Sequence, residues 1–283
     1  AASIIGSVVA LPDYLGLGDS PGLHPYIHAE TEASASLDML WATREFCENH
    51  NIILNDDLFI FGYSQGGHST MALHKLIEEE ASNEFTVKHS IPMSGPYDVS
   101  GVQTEILIDG DDYPSPFYLP YVLFSYKSIY PELNEYSLEE MFISPFDSLL
   151  PIYFDGYHSS GQINGILPSN PIEILNPNFL NPFLSDSLHP FRIALAKNDL
   201  IDWLPQAPIN FYYCNGDEHV TYLNSIVASE EMSNMEEAII ETTQIDPNYD
   251  HNECAQPSIT QAILSFLTKA EACNTSISES TSI

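Results

Sequence analysis

Short apolar runs alternate with segments of helical period along most of this chain, and that rhythm predicts its architecture. Ile4–Leu11 (IIGSVVAL), Leu58–Tyr63 (LFIFGY), Val87–Met93, Ile209–Cys214 (INFYYC) and Ala238–Gln244 are brief and rich in β-branched or aromatic residues. Such runs read as strands covered on both faces. Between them, Glu32–Glu48 repeats Ala33, Leu37, Leu40, Trp41 and Cys47 on one side. A helical pattern over Gln65–Glu80 follows the second strand without a linker, and Ser258–Ala270 sets Ile259, Ile263, Phe266 and Leu267 on one stripe. Strands alternating with helices predict an α/β fold, a mostly parallel sheet with helices on both faces.

The 104 residues from Val102 to Pro205 break the rhythm. They hold 12 of the 20 prolines and 17 of the 32 aromatic residues, with few long periodic stretches. The segment reads as an insertion over one end of the sheet, a lid that lends an apolar wall to a pocket. The expected organisation is a core of residues 1–101 and 206–273, a lid or cap of 102–205, and a polar, flexible tail of 274–283. The tail contains a glycosylation sequon, Asn274-Thr275-Ser276.

Composition narrows the function classes. Seven Lys and Arg face 40 Asp and Glu, a formal charge of −33. Phosphate binding needs clustered cations, so a nucleic-acid partner is excluded, as is docking on anionic lipid. The acidity reads first as solubility; adaptation to a salty habitat is the sharper alternative, because so few cations remain to form ion pairs. The longest apolar-aromatic stretch, residues 117–126, is too short to cross a bilayer. Cys47, Cys214, Cys254 and Cys273 show no CxxC spacing, and three full pairings or buried free thiols all stay open. His24 and His28 have i,i+4 spacing with Pro25 between them and no third ligand, so structural roles are expected and no metal or other cofactor is implied.

Gly62-Tyr63-Ser64-Gln65-Gly66 fits G-x-S-x-G between a strand and a helix, the context in which that motif forms a nucleophile elbow. Ser64 is then exposed on a sharp turn, Gly62 and Gly66 are expected to relieve crowding, and the Gln65 backbone N–H is the candidate oxyanion-hole donor. A serine hydroxyl needs a base, and on this fold the partners follow in the order Ser, acid, His. Among the histidines only His219 and His251 lie late enough. His251, in the polar turn DPNYDHNEC after the fifth strand, is the candidate base. Asp217, in the loop after INFYYC, is the candidate acid, with Asp199, Asp202, Glu218 and Asp246 as competitors.

PDYLGLGDSPGLHPYIHAETEASASLDML, FIFGYSQGGHSTMALHK, NGDEHV and DHNECAQPSITQAIL together resemble the secretory-lipase-like branch of the α/β-hydrolase superfamily. The resemblance spans nearly all of the chain except the insertion and tail. It implies an esterase or lipase acting on carboxylic esters, a lid over the pocket, a secreted or periplasmic location, and a triad at Ser64, Asp217 and His251. It also implies a strand and loop upstream of DYLGLG that supply a second oxyanion donor. Only a dozen residues precede Asp13 and no HG-type loop is present, so the N-terminal strands of the fold are expected to be missing here. The expected reaction is acyl transfer from a small ester with an apolar acyl or aryl group. A serine peptidase or amidase on the same fold, or a non-catalytic binding homologue without a complete oxyanion hole, are the alternatives. Oligomeric state is not legible.

Overall fold

The computed structural model describes residues 6–280 except 56 and 110, with side chains to residue 269. Four strands, β1 (Asp57–Tyr63), β2 (Thr86–Met93), β3 (Ile209–Cys214) and β4 (Ile240–Asp246), form one sheet in the order β1-β2-β3-β4. All neighbouring pairs are parallel. The helices that cover it are α1 (Ala29–Asn49), α2 (Gln65–Glu80), α3 (Leu223–Ser233) and α4 (His251–Ser280).

Alternation along the strands explains the layering. Ile60, Val87, Ile209 and Phe211 face α1, α2 and α3, packing with Leu37, Met71, Leu73, Ile77, Ala228 and Met232. Phe59, Phe61, Ile91, Met93 and Tyr212 face the other way, onto Ala262 and Phe266 of α4. β1, β2 and β3 are therefore covered on both faces, as a parallel sheet requires, whereas β4, at the edge of the sheet, leaves Glu241, Thr242 and Gln244 exposed.

Two sequence expectations fail locally. Ile4 and Ile5 lie outside the described residues, but from Gly6 onward the Ile4–Leu11 run forms no strand. Val8, Val9 and Leu11 are 42%, 43% and 80% exposed. An apolar run becomes a strand only if a neighbour takes its backbone hydrogen bonds, and among the described residues no strand lies beside it. The last helix also begins at His251, seven residues before the expected Ser258, and carries Pro257 inside it.

The insertion is helical. Its short helices include Thr104–Ile108, Tyr118–Ile129, Phe146–Tyr153, Pro177–Ser185 and Pro190–Ala196. Pro131, Pro171, Pro177 and Pro190 each stand in the first turn of a helix, where a missing N–H costs nothing. Ser137–Glu140 and Ser159–Gln162 close two more with capping boxes. These helices bury a cluster of their own, including Leu123, Tyr126, Phe142, Leu150, Phe179 and Phe191. Among the described residues no helix is long and apolar enough to cross a membrane.

Candidate active site

The site lies at the carboxyl ends of the strands, where β1, β3 and β4 each hand the chain to a loop. Ser64 follows β1 directly, with φ 58° and ψ −122°. That conformation is strained for a non-glycine residue, at about 1–3 kcal/mol, and persists only if its surroundings enforce it. They do so on two sides: the Ser64 N–H donates to the Met93 carbonyl at 2.9 Å, and the Ser64 carbonyl accepts from Gly67 and His68 of α2.

Crowding at the elbow falls on Gly62, as expected, but on Gly67 rather than Gly66. A Cβ at Gly62 would lie 2.2 Å from the Gly66 carbonyl oxygen, and one at Gly67 would lie 2.7 Å from the Met93 carbonyl oxygen. A Cβ at Gly66 would meet nothing within 4 Å. Gly62 and Gly67 thus permit the close approach of β1, β2 and α2, whereas Gly66 borders open space.

His251 is the first residue of α4. Asp250 caps that helix, accepting from the N–H groups of Asn252 and Glu253 at 2.9 and 2.8 Å, while Glu253 accepts from the Asp250 N–H. The cap fixes where the helix starts and so where the imidazole stands. Three further bonds hold residue 251: its N–H donates to Glu218, its carbonyl accepts from the Tyr63 hydroxyl, and its Nδ1 lies 2.8 Å from Asp217 Oδ2. Its Nε2 lies 2.9 Å from Ser64 Oγ. A carboxylate only accepts, so Nδ1 carries the proton and Nε2 presents its lone pair to the serine hydroxyl.

Asp217 is 6% exposed. Its second oxygen accepts from the N–H groups of His219 and Val220 at 3.1 and 2.8 Å, so both oxygens are engaged. Gly216 makes room for this loop, since a Cβ there would lie 2.4 Å from the Asn248 carbonyl oxygen. A disulfide between Cys214 and Cys254, Cα atoms 6.0 Å apart, ties the end of β3 to the first turn of α4. It therefore flanks Asp217 and His251, three residues before one and three after the other. Cys47 is a buried free thiol; the Cys273 side chain lies outside the described residues.

The imidazole of His251 pairs with Asp217 rather than with any competing carboxylate, and Glu218 meets only its backbone N–H and the His219 ring. Asp199 accepts from the Ser100 N–H and hydroxyl, and burial pushes its carboxyl up to about 6. Asp246 accepts from the Asn248 and Tyr249 backbone, and Asp202 lies in the loop before β3. His219 stacks obliquely on His251 with ring centroids 5.0 Å apart. Burial, with the neighbouring His251, lowers its pKa. Its Nε2 meets Ser115 Oγ at 3.2 Å, and its carbonyl accepts from Gln103 and Tyr113, so the insertion grips the loop that carries Asp217. His28 caps α1, and His24 is bonded to Leu15 and Gln65. The Gln65 N–H opens α2, whose first N–H groups have no intrahelical acceptors.

An apolar cavity lies against the helices of residues 102–205, lined by Tyr26, Val99, Leu107, Tyr118, Val122 and Val220 among others. Tyr118, on its wall, stands edge-on to His219 at 6.0 Å, and the His219 ring in turn meets that of His251; Ser64, Asp217 and His251 do not themselves line the cavity.

No protein-family model and no curated protein matches the chain. Solved structures do. A Legionella pneumophila protein assigned as a hydrolase is 30% identical, with a TM-score of 0.80 over 92% of this chain and 69% of its own. The rice cell wall degrading esterase LipA from Xanthomonas oryzae is 26% identical, with a TM-score of 0.74 over 89% of this chain and 68% of its own. Candida antarctica lipase A, 16% identical, shares the fold at a TM-score of 0.61 over 80% of this chain and 51% of its own. This chain belongs to the α/β-hydrolase superfamily, with its esterases and lipases.

Proposed function

We propose that Ser64, His251 and Asp217 are nucleophile, base and acid in the hydrolysis of carboxylic esters through an acyl-enzyme. The observation that carries this reading is the unbroken hydrogen-bonded chain from Asp217 through His251 to Ser64, at 2.8 and 2.9 Å, between residues 34 and 187 positions apart. His251 Nε2 takes the hydroxyl proton as Ser64 Oγ bonds to the ester carbonyl carbon, and the carbonyl electron pair moves onto oxygen. The Gln65 N–H, the one oxyanion donor we assign, stabilises that charge. The intermediate collapses as the carbon–alkoxy bond breaks, and His251 protonates the leaving alcohol. Water then repeats the sequence on the acyl-enzyme and frees the acid and Ser64. Asp217 holds the imidazole in the required tautomer and balances its charge.

Residues 102–205 act as the lid over this site, and their cavity suits an apolar acyl or aryl group of a small ester. The disulfide fits a secreted or periplasmic home, because such bonds persist in oxidising compartments. Ser64→Ala tests the reading: hydrolysis of a short p-nitrophenyl ester should fall to background with the fold intact by circular dichroism, and retained turnover would remove Ser64 from the mechanism.

A further inference from the structure

A buried polar cluster beneath the elbow takes no part in the acyl-transfer steps above. Glu32 on α1 and His68 on α2 are both fully buried, and Glu32 Oε2 lies 2.7 Å from His68 Nδ1. The second ring nitrogen of His68 lies 3.0 Å from the Asn198 carbonyl oxygen. A carbonyl and a carboxylate both only accept, so both ring nitrogens carry protons and His68 is an imidazolium. Burial alone would lower the His68 pKa, but the Glu32 charge and hydrogen bond and the Asn198 carbonyl outweigh it and raise it.

The other Glu32 oxygen accepts from Gln65 Nε2 at 2.8 Å. The same Gln65 nitrogen lies 2.6 Å from His24 Nε2. His24 Nδ1 donates to the Leu15 carbonyl at 2.8 Å, which leaves its Nε2 as the acceptor. Both amide protons of Gln65 are therefore held, one by α1 and one by the loop before it, and both holders are buried. A buried ion pair is a costly way to join two helices, since apolar side chains of similar volume pack at least as stably. What the pair adds here is a directed grip on the residue after the nucleophile.

We propose that Glu32 and His24 are positioning residues: through the Gln65 side chain they hold the first turn of α2 so that the Gln65 N–H is aimed at the oxyanion, while His68 neutralises the charge of Glu32. This rests on the acyl-transfer reading of the same site. Preorganised donors stabilise a transition state only when their aim is fixed, and a misplacement of about 1 Å can cost on the order of 100-fold in rate.

Gln65→Ala separates aim from donation, because it keeps the backbone N–H and removes the grip. With a short p-nitrophenyl ester, kcat should fall about 10- to 100-fold while KM stays within about twofold. Glu32→Gln should rescue. Its carbonyl accepts from Gln65, its amide donates to a neutral His68, and kcat stays within about threefold of the parent. Glu32→Ala should lose as much as Gln65→Ala, and the double variant no more than either, because the grip acts as one unit. The proposal is overturned if Gln65→Ala keeps full kcat, if the loss lies in KM alone, or if the two losses multiply. Should Glu32→Ala fail to fold, Gln65→Ala and Glu32→Gln decide the matter. If Ser64→Ala is inactive while Gln65→Ala is fully active, this inference alone falls; if Ser64→Ala stays active, the acyl-transfer reading falls with it.

Discussion

The disulfide offers a worked test of how the site is held. Cys214 and Cys254 are both fully buried and 40 residues apart in sequence. Closing a loop of that length removes about 13 cal/mol/K of unfolded-state entropy in the chain-entropy account, or about 4 kcal/mol at 25 °C. Replacing both cysteines by alanine adds roughly 1 kcal/mol per site for lost packing. Unfolding entropy scales at about 2.1 cal/mol/K per residue, about 0.6 kcal/mol/K for this chain, so Tm should fall by about 7–10 °C. Cys47→Ala, at a buried cysteine that forms no disulfide, is the control and should shift Tm by only about 2 °C. Activity should change as well, because the bond joins the Asp217 loop to the helix that carries His251; at a temperature where both proteins are folded, kcat of the double variant should fall while KM changes little. Differential scanning calorimetry and ester kinetics on the three proteins read both effects. A double variant that melts with the Cys47→Ala control, or that keeps full kcat, would refute the claim that the bond anchors the site.

Three further outcomes follow from named contacts. Asp217→Asn should lower kcat for ester hydrolysis by about 10⁴, since an amide donates where the imidazole needs an acceptor and favours the wrong tautomer; a loss below about tenfold would contradict the role. Gly62→Ala should destabilise the fold by about 4 kcal/mol or prevent folding, given a Cβ 2.2 Å from the Gly66 carbonyl oxygen, whereas Gly66→Ala should cost less than about 1 kcal/mol in chemical denaturation. Burial, with Lys269 and His74 nearby, lowers His89 to about 4. The unfolded chain therefore binds that proton first as pH falls, and the contribution is full above about pH 6.5 and lost toward pH 4, at most about 3 kcal/mol. Asp199, raised to about 6, runs the opposite way over that window, so the comparison is with His89→Leu, whose stability should fall less between pH 6.5 and 4 than that of the parent.

The sheet and its helices were largely legible because each carries one period. Gln65–Glu80 and Ile209–Cys214 match the structure end to end, and the other core strands agree within two residues. Ser64 was legible because the elbow needs glycines at fixed offsets from a strand end, although the crowded ones are Gly62 and Gly67. Ile4–Leu11 misleads because a strand depends on a partner that a local pattern cannot show. The insertion hides its helices because its prolines read as breakers, while several of them open helices, and the capping boxes at Ser137 and Ser159 were the available signal. Asp250-x-x-Glu253 was a comparable signal for the start of the last helix. The Glu32–His68–Gln65 cluster left no such trace: its members lie on two helices and come together only when α1 packs on α2.

The most direct measurement is the site and stoichiometry of covalent labelling by a fluorophosphonate, mapped by mass spectrometry, alongside p-nitrophenyl ester turnover. One adduct per chain, on Ser64, with turnover lost in step with labelling, is the predicted result. Label on another residue, or full hydrolysis by a chain fully labelled at Ser64, would contradict the account.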